Sequence, residues 1–196
     1  RPVPVLLDIP KEVQSAKFDF VGSRPVQTER AKLVSNEKID KAIEMIRSAK
    51  KPFIYIGGGA KAGDMTSEVI GLADLIDAPI GSSLMGLSVV PSRHPRFLGM
   101  QGMHGHYASS RSMADADLII CIGARFSDRA TGNVAKFAKQ TKIIHMDIDS
   151  AELDKNVKVD LKICGDIKEA LVRISAHLEP SPKPGWMAHV GDLRKK

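Results

Sequence analysis

The chain has 196 residues, of which 43% are hydrophobic and 27% charged, and it carries a net charge of +6. This composition is ordinary for a globular domain, and the chain is long enough to bury a hydrophobic core without needing disulfides or metal ions for stability. Basic and acidic residues alternate, as in 37–41, aromatic residues make up 5%, and no apolar run approaches about 20 residues, so we expect neither a nucleic-acid partner nor a membrane span.

Helix-like and strand-like patterns alternate in the first half of the chain. Residues 10–35 carry two prolines and mixed charges, which predicts a surface linker. A helix is predicted from Asn36, with apolar residues at i, i+3, i+4 and i+7, and a buried strand at Phe53–Ile56 follows it. The pattern then predicts a helix near 64–77, a strand at 79–84, a long irregular segment and a helix at about 106–115.

The second half continues the alternation. Strands are predicted at 117–122, 142–146 and 157–163, and a helix with a D-x-x-E cap is predicted after Asp166. Residues 179–196 contain three prolines and a basic end, which predicts an outgoing linker. The fold class is therefore α/β: a doubly wound, Rossmann-like parallel sheet of five to six strands with helices on both faces, in three layers.

Three consecutive glycines, Gly57 to Gly59, stand at the first strand-to-helix turn. Such turns place helix N–H groups where they can face a phosphate, although many glycine turns only allow a strand and a helix to pack closely. Ligands of doubly wound sheets bind beyond the carboxyl ends of the strands. The unusual residues of this chain all follow predicted strands, so we expect a ligand site there, formed by residues 57–59, 83–86, 123–129, 147–149 and 165–166.

The patterns favour some ligands over others. An NAD domain places an acid at the end of its second strand, but here Asp77 precedes that strand and Ser82 and Ser83 end it, which weakens the NAD hypothesis. Arg125 and Arg129 could pair with a pyrophosphate, with surface ion pairs as the alternative. Neither Cys121 nor Cys164 has C-x-x-C spacing, and no acid or thiol accompanies His104 and His106, so we expect no metal site.

Several motifs in order carry a family resemblance across nearly the whole chain. They are Arg1–Gln14, Tyr55–Gly59, Ser83–Gly86, Gly102–Gly105, Ile122–Gly132, His145–Glu152 and Cys164–Asp166. Together they resemble the catalytic large subunit of acetolactate synthase (acetohydroxyacid synthase), a thiamine-diphosphate enzyme of branched-chain amino-acid biosynthesis. The part that they resemble is the central domain, which carries FAD in that family.

The resemblance implies cofactor contacts on several loops. The pyrophosphate and ribityl chain would lie against Gly58, Arg125, Gln101, Gly102, Met103, His104 and Gly105. Ser83, Leu84 and Met85 would flank the isoalloxazine, while Asp147, Ile148, Asp166 and Ile167 would hold the adenosine. The same set includes Arg1, Gly57, Gly59, Gly123, Ala124, Phe126 and, through its backbone, Ser127. Arg129, with Asp128 beside it, would address the carboxylate of the second keto acid.

The resemblance also implies a domain organisation. Residues 1–35 would end a preceding thiamine-pyrimidine domain and its linker, residues 36–178 would form the FAD-binding domain, and residues 179–196 would lead to a pyrophosphate domain. Those flanking domains would supply thiamine diphosphate and Mg²⁺, so no catalytic residue is expected here and the fragment alone would be inactive. A homodimer or homotetramer, a small regulatory subunit, and a cytoplasmic (bacterial) or organellar (eukaryotic) location are further implications.

Two alternatives stay open at this point. One is the central domain of a sister thiamine enzyme, such as glyoxylate carboligase or sulfoacetaldehyde acetyltransferase. The other is a nucleotide-binding or regulatory module without catalytic neighbours.

Overall fold

The computed structural model describes residues 4–22, 32–132 and 141–196. The chain divides into two compact units, Arg1–Arg30 and Ala31–Lys196. In the first unit, residues 11–15 of the predicted linker form the short helix α1, Lys11–Ser15, and every residue described in this unit is exposed.

The second unit contains the sheet and the remaining helices. Its strands are β1 (Pro52–Ile56), β2 (Ile80–Ser82), β3 (Phe97–Met100), β4 (Leu118–Ile122), β5 (Lys142–Asp147) and β6 (Leu161–Cys164). Its helices are α2 (Asn36–Ser48), α3 (Gly58–Ala62), α4 (Thr66–Ile76), α5 (Tyr107–Asp115), α6 (Asp128–Thr131), α7 (Ile167–Ala176) and α8 (Pro184–Arg194). Short 3₁₀ turns lie at Leu84–Gly86 and Ser150–Glu152.

The six strands form one parallel sheet in the order β3-β2-β1-β4-β5-β6. The predicted doubly wound α/β fold is therefore confirmed. The chain moves outward from β1 to β3, and then returns to the other side of β1 to continue with β4. The topological switch point of the sheet consequently lies between β1 and β4.

Alternating strand residues face two separate cores, one on each side of the sheet. Ile54 and Ile120 lie in the core that α2, α4 and α7 cover, whereas Phe53 and Ile119 lie in the core that α5 and α8 cover. A strand exposes successive side chains to opposite faces. Because of this two-residue period, a fully buried apolar strand packs against the helices on both faces of the sheet.

The structure differs from the sequence expectations in three elements. Residues 97–100 of the predicted irregular segment form the edge strand β3, which pairs with β2. The helix expected near 64–77 is α4, Thr66–Ile76, but a short helix that the sequence patterns had not indicated, α3, precedes it, and Asp64 between the two has a φ of 48°. Most of the segment expected as an outgoing linker is helix α8, because its side chains Trp186, Val190 and Leu193 are buried in the second core.

Candidate cofactor site

The parallel sheet brings the predicted site loops to one edge. Because all six strands point the same way, the segments that follow them start at the same edge of the sheet. Glycines, charged residues and the 3₁₀ turn Leu84–Gly86 lie there. Residues 101–105 also belong to this edge, because they follow the strand β3 that the sequence patterns had not indicated.

Two glycines bring the loops after β1 and β4 into direct contact at the switch point. The N–H of Gly59 donates to the carbonyl of Gly123 over 2.9 Å. A Cβ on Gly59 would lie 2.8 Å from the Cα of Gly123, and Gly123 has a φ of +56°. Side chains cannot occupy that space, so glycine at both positions sets how closely the two loops approach.

Main-chain hydrogen bonds connect the other loops of this edge. The N–H of Gln101 donates to the carbonyl of Ser82 (2.7 Å), and that of Met103 donates to the carbonyl of Arg129 (2.9 Å). On the other side of the switch point, the N–H of Gly165 donates to the carbonyl of Asp147 (3.3 Å). These bonds fix neighbouring loops to one another without using side chains.

Among the residues that the structure describes, large apolar side chains are exposed on this edge, including Leu84, Met85, Met103 and Ile148. The exposed fractions are 68% for Leu84, 67% for Met85, 74% for Met103 and 50% for Ile148. They follow β2, β3 and β5, whereas nearly all apolar side chains of the strands themselves are buried. Exposed apolar side chains rimmed by polar groups are typical of a surface that another molecule covers.

The charged residues of this edge differ in how far they are already engaged. Arg125 and Arg129 are both exposed. Asp147 Oδ1 accepts the N–H of Asp149 (2.9 Å), and Asp166 caps α7 by accepting the N–H of Glu169 (3.1 Å). Each aspartate therefore has a structural role in its own loop; Asp147 is buried and Asp166 is half-buried.

Several predicted site residues bury their side chains and reach the edge through their backbone alone. Ala124, Phe126 and Ile167 are 2–4% exposed and lie in the two cores. Gln101 is also buried, and its Oε1 accepts the hydroxyl of Ser109 over 3.2 Å. Of the other predicted residues, His104, Ser127 and Asp128 are exposed, Ser83 is half-buried, and Arg1 lies outside the described residues.

Buried side chains fix the loop after β4, a role that the sequence analysis did not predict for them. The carbonyl of Ala124 accepts Nε2–H of His145 (2.9 Å) and the thiol of Cys121 (3.2 Å). The ring of Phe126 packs between Tyr55 and His145, with centroids 5.9 and 5.2 Å apart. Burial lowers the pKa of His145 and raises that of the Cys121 thiol, so both are neutral at physiological pH.

Glu152 is a second residue that the sequence analysis missed. It ends the 3₁₀ turn after β5 and is 9% exposed. Its Oε1 lies 3.4 Å from Nε of Arg125 and 3.4 Å from Nζ of Lys155. Residues 125 and 152 come together only in the folded chain. The sequence analysis included Glu152 as the last residue of the motif His145–Glu152 but gave it no role.

The described residues place limits on other kinds of site. Within residues 4–22, 32–132 and 141–196, no three His, Cys, Asp or Glu side chains form a group able to hold a metal ion. None of the helices in these ranges is both long and apolar enough to cross a membrane.

The fold defines the class: a doubly wound α/β domain whose strand-end loops meet at a topological switch point. Residues 39–174 match the family model described as the thiamine pyrophosphate enzyme, central domain. The chain belongs to that family.

The similar proteins share one name. The chain is 43% identical to the acetolactate synthase large subunit of Corynebacterium glutamicum over 182 residues, which are 89% of this chain and 28% of that protein. It is 39% identical to the Escherichia coli K12 acetolactate synthase isozyme 1 large subunit, covering 100% of this chain and 35% of that one. It is 37% identical to acetolactate synthase of Mycobacterium leprae, covering 100% and 33%. The chain thus spans about a third of the length of these curated relatives.

Proposed function

We propose that this chain is the FAD-binding central domain of an acetolactate synthase large subunit. The observation that carries the proposal is the presence of exposed apolar side chains, Leu84, Met85, Met103 and Ile148, on the same edge as Arg125 and the Gly59–Gly123 contact. A flat aromatic ring system would cover the apolar side chains, and a guanidinium suits a diphosphate. The names and identities of the relatives support the same assignment.

The residues of this edge fit the parts of FAD. Gly58, Arg125 and the loop Gln101–Gly105 would contact the diphosphate and ribityl chain, and the exposed segment 83–85 would flank the isoalloxazine. The adenosine would lie at Asp147, Ile148, Asp166 and Ile167. Ile148 offers an exposed apolar side chain, Asp147 and Asp166 would offer carboxylate oxygens, and Ile167 would contribute its backbone. Arg1 belongs to this proposal as an additional contact.

The whole protein would condense two 2-keto acids, pyruvate with pyruvate or with 2-ketobutyrate, and decarboxylate one pyruvate. Thiamine diphosphate and Mg²⁺ would supply the carbanion chemistry from flanking domains of the same chain, and the flavin would be structural. Asp128 and Arg129, exposed at the start of α6, would face the carboxylate of the second keto acid. A homodimer or homotetramer, with or without a small regulatory subunit, completes the proposal.

Retention of FAD tests the proposal. The purified chain is mixed with FAD, passed through gel filtration and examined for flavin absorbance that elutes with the protein. We expect retention by the wild type, and an affinity for FAD that is about 10- to 100-fold lower in Arg125→Ala, since a charge-assisted hydrogen bond contributes about 1.5–3 kcal/mol.

Arg111→Ala is the matched control for this experiment. Arg111 also pairs with a carboxylate, Asp115, over 2.9 Å, but that carboxylate lies at the end of α5 near the start of β4, on the opposite edge of the sheet. The control should bind FAD like the wild type. Elution of the wild-type chain without flavin would contradict the proposal, as would equal losses in the two variants.

A further inference from the structure

Glu152 is a carboxylate buried directly beside the proposed cofactor site. A carboxylate with a side chain 7% exposed is costly unless charges and hydrogen bonds compensate it. Nε of Arg125 and Nζ of Lys155, both 3.4 Å away, contribute to that compensation. The carboxylate is thus in contact with a guanidinium that itself reaches the ligand edge.

The main chain on both sides of Arg125 is fixed, whereas its side chain is half exposed. Ala124 is held by His145 and Cys121, and Phe126 is packed between two aromatic rings. The Arg125 side chain is 48% exposed, and its contact with Glu152 goes through Nε. Among the described residues, Nη1 and Nη2 make no hydrogen bond.

Ordering a free arginine side chain on binding a ligand costs about 1.5–2 kcal/mol of rotamer entropy. A contact that already holds Nε reduces that loss before the ligand arrives. It also leaves the two terminal nitrogens, the pair that bonds a phosphate group in a fork, available for an anion.

We propose that Glu152 is a positioning residue for the cofactor diphosphate: it holds Arg125 by Nε so that the terminal guanidinium nitrogens are available to the diphosphate. This inference rests on the proposed function. Glu152 acts through Arg125 and does not itself contact the cofactor.

A double-mutant cycle on FAD affinity tests this role. The dissociation constant for FAD is measured by flavin fluorescence for the wild-type chain, Glu152→Gln, Arg125→Ala and the double variant. We expect E152Q to weaken binding about tenfold in the wild-type background and to have no further effect in the R125A background. Asp115→Asn, which removes the carboxylate paired with Arg111, is the matched control and should bind FAD normally.

Arg125→Lys provides a second variant, which leaves Glu152 in place and keeps the positive charge. Lysine has a single side-chain nitrogen, whereas arginine can contact Glu152 through Nε and the diphosphate through Nη1 and Nη2. R125K should therefore bind FAD about as weakly as R125A. Thermal melting of each variant verifies that it is folded.

The outcomes separate this inference from the proposed function. If the wild type binds FAD and E152Q binds it equally well, the positioning role is wrong while the proposed function stands. Equal losses from E152Q in both backgrounds would likewise overturn it, because Glu152 would then act independently of Arg125. If the wild type binds no FAD, the proposed function fails, and this inference fails with it.

Discussion

His145 shows how a single buried side chain fixes the loop that carries Arg125. Its Nε2–H donates to the carbonyl of Ala124, so the lone pair of the neutral ring is on Nδ1. Among the described residues, Nδ1 has no hydrogen-bond partner, and a proton added there would be buried without an acceptor. This arrangement agrees with the lowered pKa of His145, which burial causes.

The lowered pKa predicts that the protein loses stability in mild acid. An unfolded histidine binds a proton near pH 6.5, whereas the folded one binds it only at lower pH. The unfolded state therefore holds more protons below about pH 6.5, and the free energy of unfolding falls there by up to about 1.4 kcal/mol per pH unit. Below the folded pKa this loss stops growing. Denaturation midpoints measured from pH 7.5 to pH 5 check the expectation.

His145→Gln isolates this contribution, because glutamine can donate to Ala124 but does not titrate. It should show a smaller loss of stability in acid than the wild type. His177→Gln replaces an exposed histidine at the end of α7 and should keep the wild-type profile. The same acid sensitivity in H145Q as in the wild type would contradict the assignment.

At the scale of elements, sequence patterns predicted the long buried strands and amphipathic helices and missed β3 and α8. Strand β3 has four residues, two of them half-buried, at the sheet edge after a proline-containing loop, so no alternating pattern indicates it. Helix α8 follows Pro180 and Pro182 and begins at Pro184. Its buried residues Trp186, Val190 and Leu193 have helical spacing, but they are few, and the surface that they cover exists only in the folded chain.

Helix α8 should contribute to the stability of the sheet domain. Trp186 is 5% exposed in the second core, and its Nε1–H donates to the carbonyl of Pro52 over 3.0 Å. Trp186→Ala should lower the free energy of unfolding by about 3–5 kcal/mol, because it removes a large buried ring and leaves a carbonyl unpaired. The measurement is the urea midpoint, followed by circular dichroism.

Val172→Ala is the control for that experiment. Val172 is 54% exposed on α7, so its truncation should change stability by no more than about 0.5 kcal/mol. If W186A unfolded at the same urea concentration as V172A, α8 would be dispensable for the fold.

At the scale of the whole molecule, the described ranges place both cores within residues 31–196. In the unit Arg1–Arg30, every residue that the structure describes is exposed, including Leu6, Phe18 and Phe20. That the loops after the strands lie at one edge of the sheet could be predicted from the sequence, because parallel strands have their carboxyl ends at the same edge. Which side chains point outward could not, because burial of Phe126 and Ile167 depends on packing between elements distant in the chain.

Removal of residues 1–30 should leave the sheet domain folded. We expect the remaining chain to unfold cooperatively, with a free energy of unfolding within about 0.5 kcal/mol of that of the full 196 residues. Thermal and urea denaturation followed by circular dichroism make the comparison. Loss of the cooperative transition would show that the first 30 residues are needed for folding.

Main-chain hydrogen bonds join Gln101 to Ser82, Met103 to Arg129 and Gly165 to Asp147. They are formed by N–H and C=O groups, which every amino acid except proline provides. Exchanging the outward-facing side chains of these loops therefore leaves the bonds that hold their shape intact. A scaffold of this kind lets the side chains of the proposed cofactor site change among descendants, or be redesigned in the laboratory, while the architecture stays the same.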